Sequence, residues 1–128
     1  MLVALCATFV WQPINAKQRV FIKQTSVATN TDTAGYASSL PTFSWEITAT
    51  VNKVRQKGYQ IQVASSLENV EDDFADFWDT RRVKSPLQSG IPYSGPTLQK
   101  GKTYYWRVVV TTNKGVAVSQ WDTFRVDK

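Results

Sequence analysis

The stretch Thr103 to Thr112 reads TYYWRVVVTT and alternates large apolar side chains with a second set at a period of two. The apolar residues that share one face are Tyr104, Trp106, Val108 and Val110. Successive side chains of a β-strand point to opposite faces, so this period is typical of a half-buried strand. The stretch therefore predicts a central strand with one face in a core.

Similar alternation extends outward from this strand in both directions. Residues 42–51 (TFSWEITATV) and 59–63 (YQIQV) each place apolar side chains on one face. Further strands are expected over residues 20–25, 81–85, 91–93 and 116–126, and a turn with Gly115 at positive φ precedes the last one. The acidic residues 65–76 are expected to form a long connection, with a short helical turn as the alternative. About seven short strands separated by turns predict an all-β antiparallel sandwich.

Aromatic residues are expected to fill the core of this sandwich. The chain has five Trp and five Tyr in 128 residues, and large aromatic rings dominate packing when they are buried. The core positions predicted from the strand patterns are Trp45, Tyr59, Tyr104 and Trp106. Trp121 is expected to pack within the final strand.

The composition excludes several chemistries. The sequence contains no His, the commonest general base near neutral pH and the commonest metal ligand. Cys6 is the only cysteine, so neither an internal disulfide nor a multi-thiolate zinc site can form. No catalytic residue, cofactor or metal is therefore assigned.

The net charge of +5 does not by itself indicate a nucleic-acid partner. Lys and Arg are spread along the chain, and the tightest group is Arg81, Arg82 and Lys84. Nucleic-acid modules usually gather such charges into a stripe with interleaved aromatic rings. A solvated basic surface is expected instead, and no nucleic-acid partner.

Residues 2–10 (LVALCATFV) form an apolar run that is too short to span a bilayer. The run fits the hydrophobic region of a secretory signal peptide, with Ala16 before a cleavage point at Lys17. An ordered extra strand is the structural alternative, and Cys6 raises a lipoprotein as another. The sequence predicts residues 1–16 as a signal remnant or extension, residues 17–128 as the sandwich, and a secreted or periplasmic location.

Several motifs resemble the fibronectin type III family, which shares the immunoglobulin-like sandwich. Leu98-x-x-Gly101-x-x-Tyr104-x-Trp106 resembles the family signature that leads into its sixth strand. In that family, the tyrosine at the position of Tyr104 forms a corner by bonding backbone near the preceding loop. The resemblance covers residues 41–127 and implies the same sandwich here.

A narrower set of motifs resembles the N-terminal sandwich of bacterial alpha-L-rhamnosidases. The motifs are PTFSWEI (41–47), GYQIQVASS (58–66), FWDTRRVKS (77–85), IPYSG (91–95) and TYYWRVVV (103–110). The sequence departs from that family at Thr80-Arg81, where Ser-Gly is usual. The resemblance implies a monomeric accessory module that is not an enzyme on its own and that contacts neighbouring domains of a glycoside hydrolase.

Carbohydrate binding is the alternative function. Aromatic rings beside loops can stack on sugar rings, and this consideration selects Trp78 with Asp79, Tyr93 and Tyr36 as candidates. The partner would then be a rhamnose-containing, plant-type polysaccharide. The alternative is a structural role, in which Trp78 packs beneath the acidic loop and Asp79 accepts hydrogen bonds in a turn.

Two sets of acidic residues are weaker candidates for a functional site. A glycosidase needs two carboxyl groups flanking the scissile bond, and Glu46 with Asp79 is the pair to test. Asp72, Asp73 and Asp76 offer oxygen ligands for calcium but lack the spacing of an EF-hand loop.

Overall fold

A computed structural model describes residues 18–28 and 40–126 of the chain. These residues form nine strands and one short helix, α1 (Leu67–Glu71). The strands are β1 (Val20–Ala28), β2 (Thr42–Ala49), β3 (Gln56–Ala64), β4 (Trp78–Asp79), β5 (Val83–Lys84), β6 (Ile91–Pro92), β7 (Thr103–Thr112), β8 (Gly115–Val118) and β9 (Asp122–Arg125).

The strands build two antiparallel sheets that face each other. The smaller sheet has the order β1–β2–β6. In the larger one β3 and β7 lie at the centre; β4 and β5 both pair with β3, and β8 and β9 both pair with β7. The predicted antiparallel sandwich of the immunoglobulin-like class is therefore confirmed.

The alternation of β7 explains why it occupies the centre of the larger sheet. Every second residue from Tyr104 to Thr112 is buried, while the intervening side chains face outward. Opposite β7, β2 buries Phe43 and Trp45, and the rings of Phe43 and Trp106 lie 4.6 Å apart between the sheets. Large rings that contact across the two layers form the centre of the core.

All four residues predicted as core are buried, with exposed fractions of 8% or less. The rings of Trp45 and Tyr59 lie 5.2 Å apart, and that of Tyr104 stacks on Phe124. The hydroxyl of Tyr104 accepts a 2.9 Å hydrogen bond from the Gln99 N–H, so the tyrosine corner implied by the family resemblance is present.

Both edges of the larger sheet are formed by interrupted strands. On one side, Arg81 takes a positive φ of 57° between β4 and β5. A non-glycine residue rarely adopts this conformation, and here the side chain of Asp79 supports it by accepting the Arg81 N–H at 2.8 Å. On the other side, Ser119, Gln120 and Trp121 separate β8 from β9.

The first strand is longer than expected and continues to Ala28. The acidic connection contains α1, so the alternative of a short helical turn is confirmed, and Ser66 caps this helix by accepting the Asn69 N–H. The predicted last strand is divided, and Trp121 lies in the break rather than within a strand. The tyrosine Tyr36, Cys6 and the predicted segment 1–16 lie outside the described residues.

Candidate functional site

The strand β4 places its two residues on opposite faces of the larger sheet. Trp78 pairs with the buried Val63 and directs its indole into the sandwich, where its ring lies 6.1 Å from that of Phe43. Asp79 pairs with Gln62 and faces outward. The side chains of the two neighbouring candidates therefore leave β4 on opposite faces of the sheet, and they can share a site only at its edge.

The outward Asp79 is held in a network of hydrogen bonds. Its carboxylate accepts from the side-chain amides of Gln60 at 2.8 Å and Gln62 at 3.2 Å, and from the Arg81 N–H. Partial burial alone would raise the pKa of Asp79, but these hydrogen bonds and the nearby Arg81 charge outweigh it and lower the pKa. Asp79 is therefore an ionised structural acceptor.

Tyr93 lies inside the fold, with 2% of its surface exposed. Its ring meets that of Trp78 edge-on at 4.7 Å, and its hydroxyl donates to the carbonyl of Pro96. Burial, with Tyr104 close by, raises the pKa of the Tyr93 hydroxyl well above its ordinary value. Trp78 and Tyr93 thus come together as expected of a sugar platform, but Tyr93 offers no open ring face.

Trp78 and Asp79 do line one cavity of about 470 Å³ at the lateral side of the larger sheet. Its other lining residues come from β3, β5, β6 and the segments that follow β4 and β6, and they include Tyr59, Thr80, Pro92 and Ser94. Trp78 is only partly buried there. This cavity is the place where a small polar ligand could meet an indole edge and hydroxyl groups.

The outer face of the larger sheet carries a polar row that the sequence did not single out. Arg107 donates to Gln62 at 2.8 Å, forms an ion pair with Asp73 at 2.6 Å, and lies over the Trp121 ring at 4.6 Å. Each partner comes from a different element. The row ties the connection after α1, β3, β7 and the break before β9 together, and its polar groups largely satisfy one another.

Glu46 and Asp79 do not form a catalytic pair, and the acidic residues in the described part of the chain form no metal site. Glu46 is exposed on β2 of the smaller sheet, whereas Asp79 faces outward from the larger sheet. Packed sheets lie about 10 Å apart, so two outward carboxyls on opposite sides cannot flank one glycosidic bond. Within residues 18–28 and 40–126, no three His, Cys, Asp or Glu side chains converge as metal ligands would.

The acidic connection is organised by hydrogen bonds instead. The carboxylate of Asp76 accepts from the Ser65 hydroxyl at 2.5 Å and from the Ser65 N–H at 2.8 Å. Burial would raise the pKa of Asp76, but hydrogen bonds, led by those from Ser65, lower it.

No helix in the described part of the chain has the length and apolar character needed to cross a bilayer.

A larger groove, of about 1090 Å³, lies where β3 begins and is called the basic groove below. Its lining residues are Val54, Arg55, Gln56, Lys57, Arg82, Lys84, Ser85, Pro86 and Gln88. Four of these nine are cations and none is acidic. The sequence pointed to Arg82 and Lys84 only as surface charges, because the residues that complete the groove lie some distance away along the chain.

The family described as the Rha78A-like, N-terminal immunoglobulin domain matches residues 22–126. The chain belongs to this family. Two curated relatives of the immunoglobulin domain are alpha-L-rhamnosidases, from Formosa agariphila and from Alteromonas sp. The first is 37% identical over 66% of this chain, and the second is 34% identical over 68%.

Two solved structures share the sandwich of this immunoglobulin domain. One is the Streptomyces avermitilis alpha-L-rhamnosidase in complex with L-rhamnose, with a TM-score of 0.70 and 26% identity over 84% of this chain. The other is the alpha-L-rhamnosidase of Dictyoglumus thermophilum, with a TM-score of 0.70 and 29% identity over 83% of this chain. The chain spans 9% of each of the two curated relatives and 10% and 12% of these two structures.

Proposed function

We propose that this chain is a non-catalytic module that docks against neighbouring domains of an alpha-L-rhamnosidase and stabilises their arrangement. The observation that carries the proposal is the match over residues 22–126 to an N-terminal domain that makes up about a tenth of rhamnosidase chains. A filled aromatic core and tethered carboxylates support a mechanical role rather than catalysis. Export and a monomeric state form part of the proposal.

The test uses the Streptomyces avermitilis enzyme, whose structure contains the matching sandwich. Replacing that sandwich by residues 22–126 of this chain is expected to preserve the melting temperature and the hydrolysis of an aryl rhamnoside. Deleting the sandwich is expected to lower the melting temperature. A deletion that changes neither quantity contradicts the docking role.

A second candidate function is sugar binding at the cavity beside Trp78. The observation that favours it is the partly exposed Trp78 next to Asp79, Thr80 and Ser94 in one concave site. An indole with the nearby Thr80 and Ser94 residues offers the mixed apolar and polar surface that a sugar requires. Saturable amide NMR shifts at residues 78–80 on titration with L-rhamnose would support it, and an unchanged spectrum would remove it.

A further inference from the structure

We propose that the basic groove binds an acidic polypeptide segment and recognises its carboxylates through Arg55, Lys57, Arg82 and Lys84. The inference deepens the docking function proposed above and rests on it. It assigns one surface of the module and one chemical class of partner. Four observations support it: the charges that line the groove, its fixed walls, its separation from the acidic connection, and its lack of aromatic rings.

The cations of the groove are exposed and available. All four carry exposed side chains, and no acidic residue lines the groove with them. Across the described ranges 18–28 and 40–126, none of the four takes part in an ion pair, in contrast to Arg107 with Asp73. Unneutralised charges that line one concavity focus the local field and attract an oppositely charged partner.

The walls that carry these cations are held by hydrogen bonds from the side chains of Gln56 and Asn113. The side-chain amide of Gln56 donates to the carbonyls of Ser85 and Leu87, at 3.0 Å and 2.7 Å, on the opposite wall. On the near wall, the side-chain oxygen of Asn113 accepts the Arg55 N–H at 2.7 Å, and its amide nitrogen donates to the Lys53 carbonyl. A groove with preorganised backbone loses less entropy when a partner binds.

The close approach of β5 to β3 brings the two pairs of cations together. Gly58 pairs with Lys84, and a side-chain carbon at position 58 would lie 2.8 Å from the Val83 carbonyl oxygen and 3.5 Å from Nε of Arg82. The absence of a side chain at this position therefore lets the Val83 carbonyl, and with it β5, approach β3 closely. Arg82 and Lys84 then stand beside Arg55 and Lys57.

The acidic connection around α1 does not screen the groove. It follows the far end of β3, whose nine residues span about 30 Å at ~3.3 Å per residue. Charges on a protein surface are largely screened beyond about 8 Å at physiological ionic strength. The module therefore presents a positive surface at one end of β3, separate from its acidic end.

The lining of the groove favours a polypeptide over a ligand that binds by stacking, such as a polysaccharide or a single-stranded nucleic acid. None of its nine residues is aromatic, whereas single-stranded nucleic acids and many sugars bind by stacking on aromatic rings. Pro86, Val54 and the aliphatic stems of the lysines supply apolar contacts for side chains. Arginine and lysine heads supply charge-assisted hydrogen bonds to carboxylates.

The test titrates the full chain with a short fluorescein-labelled oligoglutamate peptide and follows both anisotropy and backbone amide NMR shifts. Shifts are expected at residues 53–57 and 82–88, with affinity that falls as salt is added. The variant R82E/K84E is expected to bind about tenfold more weakly, because charge reversal replaces attraction by repulsion. The matched control K23E/K100E reverses two exposed lysines outside the groove and is expected to retain binding.

The two variants separate a site from general charge attraction. Each reversal lowers the net charge by two, so both double variants carry +1 instead of +5. Equal loss of binding in both variants, or no binding by the wild type, overturns the inference. Dextran sulfate is the competing probe, and its tighter binding at matched charge would overturn the assignment of a polypeptide partner.

Failure of the basic-groove proposal can be distinguished from failure of the docking function. If residues 22–126 and their R82E/K84E variant both stabilise the rhamnosidase, the docking function is retained. Only the proposal for the basic groove is then refuted. Loss of stabilisation in R82E/K84E, with stabilisation retained in K23E/K100E, supports both. A circular dichroism spectrum equal to that of the wild type establishes that each variant is folded.

Discussion

Nε1 of Trp45 donates a 3.0 Å hydrogen bond to Oε1 of Gln56 and so joins the smaller sheet to the larger one through one side-chain amide. The nitrogen of the same amide donates to the carbonyls of Ser85 and Leu87. Gln56 is only 7% exposed, so water does not readily replace these bonds. One glutamine thus connects a core indole with a wall of the basic groove.

The substitution Gln56→Leu is expected to lower the free energy of unfolding by about 3 kcal/mol, because a buried donor or acceptor without a partner costs ~1–3 kcal/mol. Leucine keeps a similar volume but leaves the Trp45 Nε1–H and two carbonyls unpaired. Urea unfolding at neutral pH measures the change. The exposed Gln24→Leu is the control and should stay close to the wild type; equal stability of Gln56→Leu would contradict the bridging role.

The substitution Tyr104→Phe removes the acceptor of the Gln99 N–H while it keeps the buried ring. The expected loss of stability is about 1 kcal/mol, the usual net contribution of one hydrogen bond. Tyr105→Phe, at the adjacent outward position, is a matched control expected to change stability by less than ~0.5 kcal/mol. Thermal unfolding followed by circular dichroism distinguishes the two, and a larger effect at Tyr105 would be incompatible with the tyrosine corner.

Stability is expected to fall in acid partly through Asp79, whose folded pKa lies below its ordinary value. The unfolded carboxyl titrates near ~3.9, so the contribution of Asp79 is complete above that pH and is lost as pH falls through the folded pKa. Asp79→Asn should therefore flatten the decrease in the urea midpoint between about pH 5 and pH 3. The exposed Asp72→Asn is the control, and an identical slope in both variants would argue against the network.

Gly95 leaves room for the contact between Trp78 and Tyr93. A side-chain carbon at position 95 would lie 2.6 Å from both the Trp78 Cγ and the Tyr93 hydroxyl oxygen. Gly95→Ala should therefore displace the indole and lower stability by about 2 kcal/mol, as overpacked interiors do. A red shift of tryptophan emission and an earlier urea midpoint are expected, whereas the neighbouring exposed Ser94→Ala should resemble the wild type.

The sequence predicted the faces of the long strands well because alternation directly encodes burial. Trp45, Tyr104 and Trp106 lie inward because their strands keep an uninterrupted period of two. Trp78 and Tyr93 lie among turn residues, where the local pattern resembles that of an exposed loop. Their depth depends on the missing side chain of Gly95, which no periodicity reveals.

The basic groove could not be predicted for a different reason. Arg55 with Lys57 and Arg82 with Lys84 belong to separate stretches of the sequence, and each stretch alone resembles a solvated edge. Only the pairing of Gly58 with Lys84 places the two sets side by side. The division of the last strand could not be predicted either. Ser119 lies in a continuous β-prone stretch, but its hydroxyl accepts the Val108 N–H.

The broken strands at both edges of the larger sheet also affect self-association. Continuous, flat outer strands can template the addition of identical chains and the growth of fibrils. Here one lateral strand is interrupted beside the left-handed Arg81 and the other around Ser119, so neither offers a long unbroken ladder. In the larger sheet, both interruptions therefore limit the strand-by-strand addition of identical chains.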